Sequence, residues 1–291
     1  MDILIILLVI AVTVTGVLSF STSHSYEVTN QYGDIVKMWG YGIYKYDSFF
    51  KAPLFIGSDL TILLLVVPLS IMAFVRARKE QSVESLIGCF GNLALLLYYS
   101  ASLAFGVTYN NLHLMYILLF GLCFFGAGSV LLRLNEVSVK QNTVCTFRFT
   151  KGLKAFLLIS GVSLFVAWLP DIIKSLAKGR PLELIEVYTT EVTYVLDMGI
   201  ISPLMFIAFF LVRKGSFIGY VLLRMILKVC ICVGIMLPVQ TFFQLLAGID
   251  LPIFALITKV FIFVLLAVFA AVLQYRLKKG SEYSQDSLLK Q

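Results

Sequence analysis

Eight runs of about 20 mainly apolar residues, near 3–21, 54–76, 85–107, 114–133, 155–175, 190–212, 217–243 and 251–276, take up most of this chain. As a helix, a run of that length rises ~30 Å, the thickness of a bilayer's hydrocarbon core. A water-soluble fold has no use for eight of them. The residues are 60% hydrophobic and 13% charged, roughly half the charge fraction of a soluble domain, so too little polar surface remains to coat a core of this size. Lipid must complete the apolar environment. The expected fold is an all-α, polytopic transmembrane bundle of about eight helices. The first run follows Met1-Asp2 with no basic segment before it and no small-x-small cleavage site after it, so it reads as a retained helix.

Lysine and arginine set the expected orientation. Arg76, Arg78, Lys79, Arg133, Lys140, Arg148, Lys151, Lys154, Arg213, Lys214, Arg276, Lys278, Lys279 and Lys290 follow the even-numbered helices 2, 4, 6 and 8. Lys37, Lys45, Lys51, Lys174, Lys178 and Arg180 follow helices 1 and 5, and the loops after 3 and 7 hold none. Fourteen against six places both termini in the cytoplasm. The same short basic runs account for the net charge of +7 without a nucleic-acid partner, since no basic stripe or aromatic-basic module is present.

The chain also repeats itself. Pro68-Leu69 through Arg78-Lys79 aligns without a gap on Pro203-Leu204 through Arg213-Lys214, with Pro, Leu, Ala, Phe, Arg and Lys coinciding. Two four-helix halves of the same orientation follow: residues 1–133 and 151–277, joined by a cytoplasmic linker at 134–150 and trailed by a polar tail at 278–291 with no apolar periodicity, expected to be disordered. An even number of helices per half forbids an inverted repeat. Gly121, Gly126 and Gly128 are expected to let helix 4 pack closely on a neighbour.

Several chemistries are excluded. With His24 and His113 as its two histidines the chain argues against paired axial ligands for an intramembrane haem, and it has no histidine-rich zinc site. H-E-x-x-H, G-x-S-x-G and P-loop patterns are missing. Cys89, Cys123, Cys230 and Cys232 lie in apolar runs and Cys145 in a basic loop, so no disulfide framework is expected outside the cell. No cofactor is implied.

Ionisable groups inside a membrane segment are costly and mark candidate sites. Here they are Asp59, Asp171, Asp197, Arg224, Lys228 and Lys259, with Glu191 at a helix entry. Arg224 and Lys228 are expected to snorkel to the cytoplasmic headgroups. Asp59, Asp197 and Lys259 fall in the outer half, together with Ser58, Tyr98, Tyr99, Asn110, Asn111, His113, Tyr116, Tyr194, Gln240 and Gln244. That asymmetry admits two readings: a polar pocket open to the outside, or buried charge pairs such as Asp197 with Lys259 that tie helices together. The aromatic-rich segment at 22–53 and its counterpart at 176–190 read as an interfacial belt or as caps over such a pocket. Pro68 and Pro203 fall mid-helix and imply a kink or a freed carbonyl.

The stretches Tyr41-Gly42-Ile43-Tyr44 with Asp47 and Gly57-Ser58-Asp59, Tyr109-Asn110-Asn111-Leu112, and Tyr188-Thr189-Thr190 with Tyr194-Val195-Leu196-Asp197-Met198-Gly199 and Pro203, resemble an uncharacterised group of bacterial multipass inner-membrane proteins over most of the chain. The resemblance implies a bacterial inner membrane and carries no activity. The residues themselves favour a transporter or ligand-binding membrane protein whose ligand is a small molecule, an ion or a lipid. Asp59 and Asp197 would be its anchors, Lys259 a counter-charge, and Glu191, Asn110 and Tyr194 further contacts. Alternatives are an enzyme acting on a lipid-linked or membrane-soluble substrate through Asp59, Glu191 and Asp197, and a non-catalytic accessory subunit.

Overall fold

The structure, a computed structural model, describes residues 1–140, 149–251 and 253–288, without the side chains of residues 140, 254, 255, 258, 259 and 278–288. Among these residues are eight helical rods: α1 (Asp2–Val17), α2 (Ala52–Glu80), α3 (Val83–Gly106), α4 (His113–Lys140), α5 (Lys151–Lys178), α6 (Val192–Arg213), α7 (Phe217–Leu246) and α8 (residues 253–288). Rods α2 to α7 are each long and apolar enough to cross a membrane, while α1 and the Ile262–Leu277 part of α8 are shorter apolar helices. The chain is a multipass membrane protein built as an all-α bundle. Helix α4 runs to Lys140, into the stretch read as a linker, and α8 to Leu288. Residues 141–148 of the linker, with Cys145, and 289–291 of the tail lie outside the described residues.

Helix pairing is the same in the first four rods as in the last four. Contacts of α1 with α2, α2 with α3, α3 with α4 and α1 with α4 recur as α5 with α6, α6 with α7, α7 with α8 and α5 with α8. The two groups meet through α2 on α7, α3 on α7 and α3 on α6. Rods α3 and α7 therefore form the centre, with 72% and 61% of their apolar stretches buried against 39% or less in the other four long spans. Helix α3 starts sharply because Ser82 and Ser85 form a reciprocal capping box (Ser85 N to Ser82 Oγ 3.2 Å, Ser82 N to Ser85 Oγ 3.1 Å).

Three rods contain a π-turn: Ile62–Val66 in α2, Asp197–Ile201 in α6 and Ile257–Phe261 in α8. In the first two the amide of Val67 reaches Ile62 O and that of Ser202 reaches Asp197 O, five residues back. Pro68 and Pro203 follow at once. A proline inside an α-helix lacks the donor and clashes with the carbonyl four residues earlier. One widened turn just ahead of it places the ring in the first turn of a new α-helical stretch, where no donor is needed. The aligned segments thus share a backbone defect in the same register.

In lipid, helices associate by van der Waals contact and polar pairing. Gly57 of α2 lies on α7 so closely that an added Cβ would stand 2.6 Å from Gln240 Cα. The glycines of α4 do not behave as expected. Gly121 and Gly128 face open space, and only Gly126 has neighbours within reach, the side chains of Met1 and Leu93. Arg224 also departs from expectation. It is 6% exposed and bonds Glu84 at the start of α3 (Nη2–Oε1 2.5 Å) and Tyr220 (2.7 Å) instead of snorkelling to lipid. The anion that it meets, Glu84, lies 140 residues away in sequence. Lys228 donates to the carbonyl of Gly88 at 3.2 Å.

Between α1 and α2 the chain forms an antiparallel hairpin, β1 (Tyr26–Thr29) with β2 (Ile35–Met38), Tyr26 opposite Met38 and Thr29 opposite Ile35. The Asn30 side chain holds the turn by accepting from the amides of Tyr32 and Asp34, both at 2.9 Å. Its aromatic rings divide. Trp39 and Tyr44 are fully buried, while Tyr26, Tyr32, Tyr41 and Tyr46 stay exposed.

Candidate functional site

Tyr98 and Tyr99 are neighbours on α3, and on a helix adjacent side chains diverge by about 100°. Each finds a different carboxylate. The Tyr99 hydroxyl donates to Asp59 Oδ1 on α2, whose Oδ2 accepts from Tyr44 at 2.6 Å. Tyr98 donates to Asp197 Oδ1 on α6 at 2.8 Å, and Trp168 Nε1 of α5 donates to Asp197 Oδ2 at 2.9 Å. One helix of the first group, α3, which also packs on the second, therefore positions both acids.

The two acids differ in access. Asp59 is 0% exposed, and α1 makes room for it with Gly16, where an added Cβ would fall 1.7 Å from Asp59 Oδ2. Asp197 lies on the wall of a cavity of about 290 Å³ bounded by α2, α3, α5, α6, α7 and α8. Its neighbours there are aromatic. Trp168 and Tyr194 stack with centroids 4.7 Å apart and planes 24° from parallel, and Tyr194 Oη donates to Asp171 Oδ2 at 2.8 Å. Gln240 closes another side by donating to Ser58 Oγ at 2.6 Å. All three rods that carry a π-turn contribute to this wall.

Glu191 stands at the rim, ion-paired with Lys51 from the other group of helices. Lys51 Nζ also lies 4.0 Å from the centroid of the Tyr188 ring. From this rim a clasp extends between the hairpin segment and the stretch before α6. Asn30 Nδ2 donates to Glu186 O (2.8 Å), Gln31 Nε2 to Tyr188 O (3.1 Å) and Ser48 Oγ to the Glu186 carboxylate. At its centre Asp47 is fully buried. Asp47 Oδ1 accepts from Thr108 N and Tyr188 Oη, both at 2.9 Å, while Oδ2 has no partner. Burial pushes its carboxyl up to about 7 against the restraining pull of those bonds and of Lys51, and burial likewise raises that of Glu186.

Of the residues expected at a site, Asp197, Tyr194 and Glu191 line the cavity, and Asp59 sits behind Tyr99, which lines it too. Asn110 belongs elsewhere. Its Oδ1 accepts from Leu112 N at 2.9 Å just before α4, and its Nδ2 reaches Tyr116 Oη at 3.3 Å, the turn chemistry that starts a helix. The side chain of Lys259, and with it a pairing to Asp197, lies outside the described residues. Trp168 and Lys51 were not singled out as site residues by sequence, and Tyr44 and Asp47 entered only through the stretches that carry the resemblance. Trp168 had a signal: it is one of two tryptophans and precedes Asp171 by one turn. Among the described residues no group of three potential metal ligands is assembled. Comparison of the chain with protein-family models, with curated proteins and with solved structures gave no match.

Proposed function

We propose that this chain is a ligand-binding membrane protein, acting as a transporter, in a bacterial inner membrane with both termini in the cytoplasm and the cavity open to the outside. One observation carries the reading. A cavity lies between two similarly paired groups of helices, carries a carboxylate on its wall, and is bounded by three rods that each lose regular helical hydrogen bonding at a π-turn. Interrupted helices at an interface between repeats are where membrane transporters place substrate, and π-turns recur at functional sites. An enzyme using Asp59, Glu191 and Asp197 together is less well supported, because Asp59 is sealed behind tyrosines and Glu191 is tied to Lys51. An accessory role explains the buried bonds of Asp59 but not a cavity beside Asp197.

Native mass spectrometry of the detergent-released protein tests this reading. Wild type is expected to carry a stoichiometric small molecule that Asp197→Asn loses while remaining monodisperse. A bare wild-type protein that also moves no solute into liposomes would remove the proposal.

A further inference from the structure

The cavity beside Asp197 has the chemistry of one class of ligand. Among the described residues each Asp197 oxygen accepts a single bond, one from a phenol and one from an indole, and a carboxylate offers about four lone-pair positions. Acceptor capacity therefore remains. Among the described residues the hydrogen bonds to Asp197 come from neutral donors, so its charge is not balanced by them. Lys51, at the rim, is already engaged by Glu191 and the Tyr188 ring. Tyr98 and Trp168 touch the carboxylate, and Tyr99, Tyr194, Phe50 and Phe55 line the same cavity. Aromatic faces attract cations, most strongly where water is displaced. The volume of about 290 Å³ equals that of about ten waters at ~30 Å³ each.

We infer that this cavity takes a small organic cation, an ammonium group on an apolar body of about ten heavy atoms, with the ammonium on Asp197 and the body against the Trp168–Tyr194 stack. The inference rests on the ligand-binding reading above and names its ligand class. An anion does not suit the site, because it would meet the Asp197 carboxylate on the cavity wall. The ammonium could belong to a free amine or to an aminophospholipid headgroup, since both present the same charge to the carboxylate.

The test is calorimetric titration of the full-length protein in phosphatidylglycerol nanodiscs with three probes of one shape: phenethylammonium, 2-phenylethanol and 3-phenylpropanoate. The cation is expected to bind at least tenfold more tightly than the alcohol, and the anion not at all. Asp197→Asn should bring cation and alcohol level, and Trp168→Phe, which keeps the carboxylate, should weaken the cation several-fold without abolishing its preference. Nanodiscs that also contain phosphatidylethanolamine separate the sources: competition with phenethylammonium identifies the headgroup as ligand, and unchanged affinity a free amine. Equal binding of all three probes, or a preference for the anion, would overturn the cation assignment and leave a ligand-binding cavity standing. Silence of all three together with a bare protein in native mass spectrometry would remove both.

Discussion

Asp47 should make this protein less stable as pH rises, the reverse of a salt-bridged aspartate. Its native carboxyl titrates at about 7 against an ordinary 3.8, because burial outweighs its two hydrogen bonds and the pull of Lys51. Between those values the unfolded chain has released the proton while the native clasp still holds it. The native state then binds more protons, so the slope of stability with pH is negative across that window and flat above it. From pH 5 to 8 the loss is about 2.6 kcal/mol, about 2.3 of it by pH 7, where half the native carboxyl still holds its proton and the slope has begun to fall from ~1.36 kcal/mol per pH unit. At ~2–4 °C per kcal/mol this is a fall of roughly 5–10 °C in melting temperature.

Asp47→Asn isolates the effect, since the amide keeps the Oδ1 acceptor for Thr108 and Tyr188 and cannot ionise. The variant should melt with wild type at pH 5 and above it at pH 8. Glu186, raised in the same sense by burial, contributes to both proteins and cancels in the difference. Intrinsic fluorescence melting is suited to the assay because Trp39 N bonds Asp47 O at 2.9 Å, placing a reporter on the clasp. Identical pH profiles for the two proteins, or a wild type more stable at pH 8 than at pH 5, would refute the reasoning.

Two more predictions concern close contacts. Gly16→Ala drives a methyl into the space of Asp59 Oδ2 and should cost about 3 kcal/mol or more; in an Asp59→Ala background the cost should fall by at least ~1 kcal/mol, and a thermal double-mutant cycle without coupling would rule out the steric account. Gly57→Ala, facing the Gln240 backbone at 2.6 Å, should destabilise by a similar ~3 kcal/mol. Gly121→Ala, facing open space, should be neutral or stabilising by up to ~1 kcal/mol, and the opposite order in melting temperature would contradict the packing described.

What the sequence disclosed is what depends on local chemistry. Apolar run length located all eight rods, because a membrane helix satisfies its own backbone within one segment. The acids of the cavity wall were legible because charge inside an apolar run is costly enough to demand a reason. Contacts between distant segments were not. Arg224 read as snorkelling because Glu84 is 140 residues away, and nothing near Lys51 announces Glu191. The hairpin was missed because Tyr26–Thr29 and Ile35–Met38 are four residues each with mostly exposed side chains, too short and too wet to show a buried alternation. Asn110 is a different case: an Asx turn immediately before His113 and its apolar run is a helix-start signature, and the residue lines a separate cavity with Tyr41, Tyr46 and Asn111 instead of the one beside Asp197.

The doubled architecture narrows where the chemistry belongs. On the register that superimposes Pro68 on Pro203, the π-turns Ile62–Val66 and Asp197–Ile201 coincide, so the two groups share a backbone feature. The carboxylates do not coincide. Asp59 precedes its π-turn by three residues and aligns with Tyr194, whereas Asp197 opens its own π-turn and aligns with Ile62. One carboxylate is therefore closed in by Tyr44, Tyr99 and Gly16, while the other is turned toward a cavity with the Trp168–Tyr194 stack beside it. A repeated scaffold with unrepeated side chains separates the two roles. On the proposed ligand-binding function, ligand choice would fall to α5, α6 and the face of α3 that carries Tyr98. Substitutions around Asp59 should then act mainly on stability and those around Asp197 mainly on binding. Melting temperature and phenethylammonium affinity, measured on Tyr99→Phe and Tyr98→Phe, distinguish the two: equal effects of both variants on affinity would show that the acids form one site.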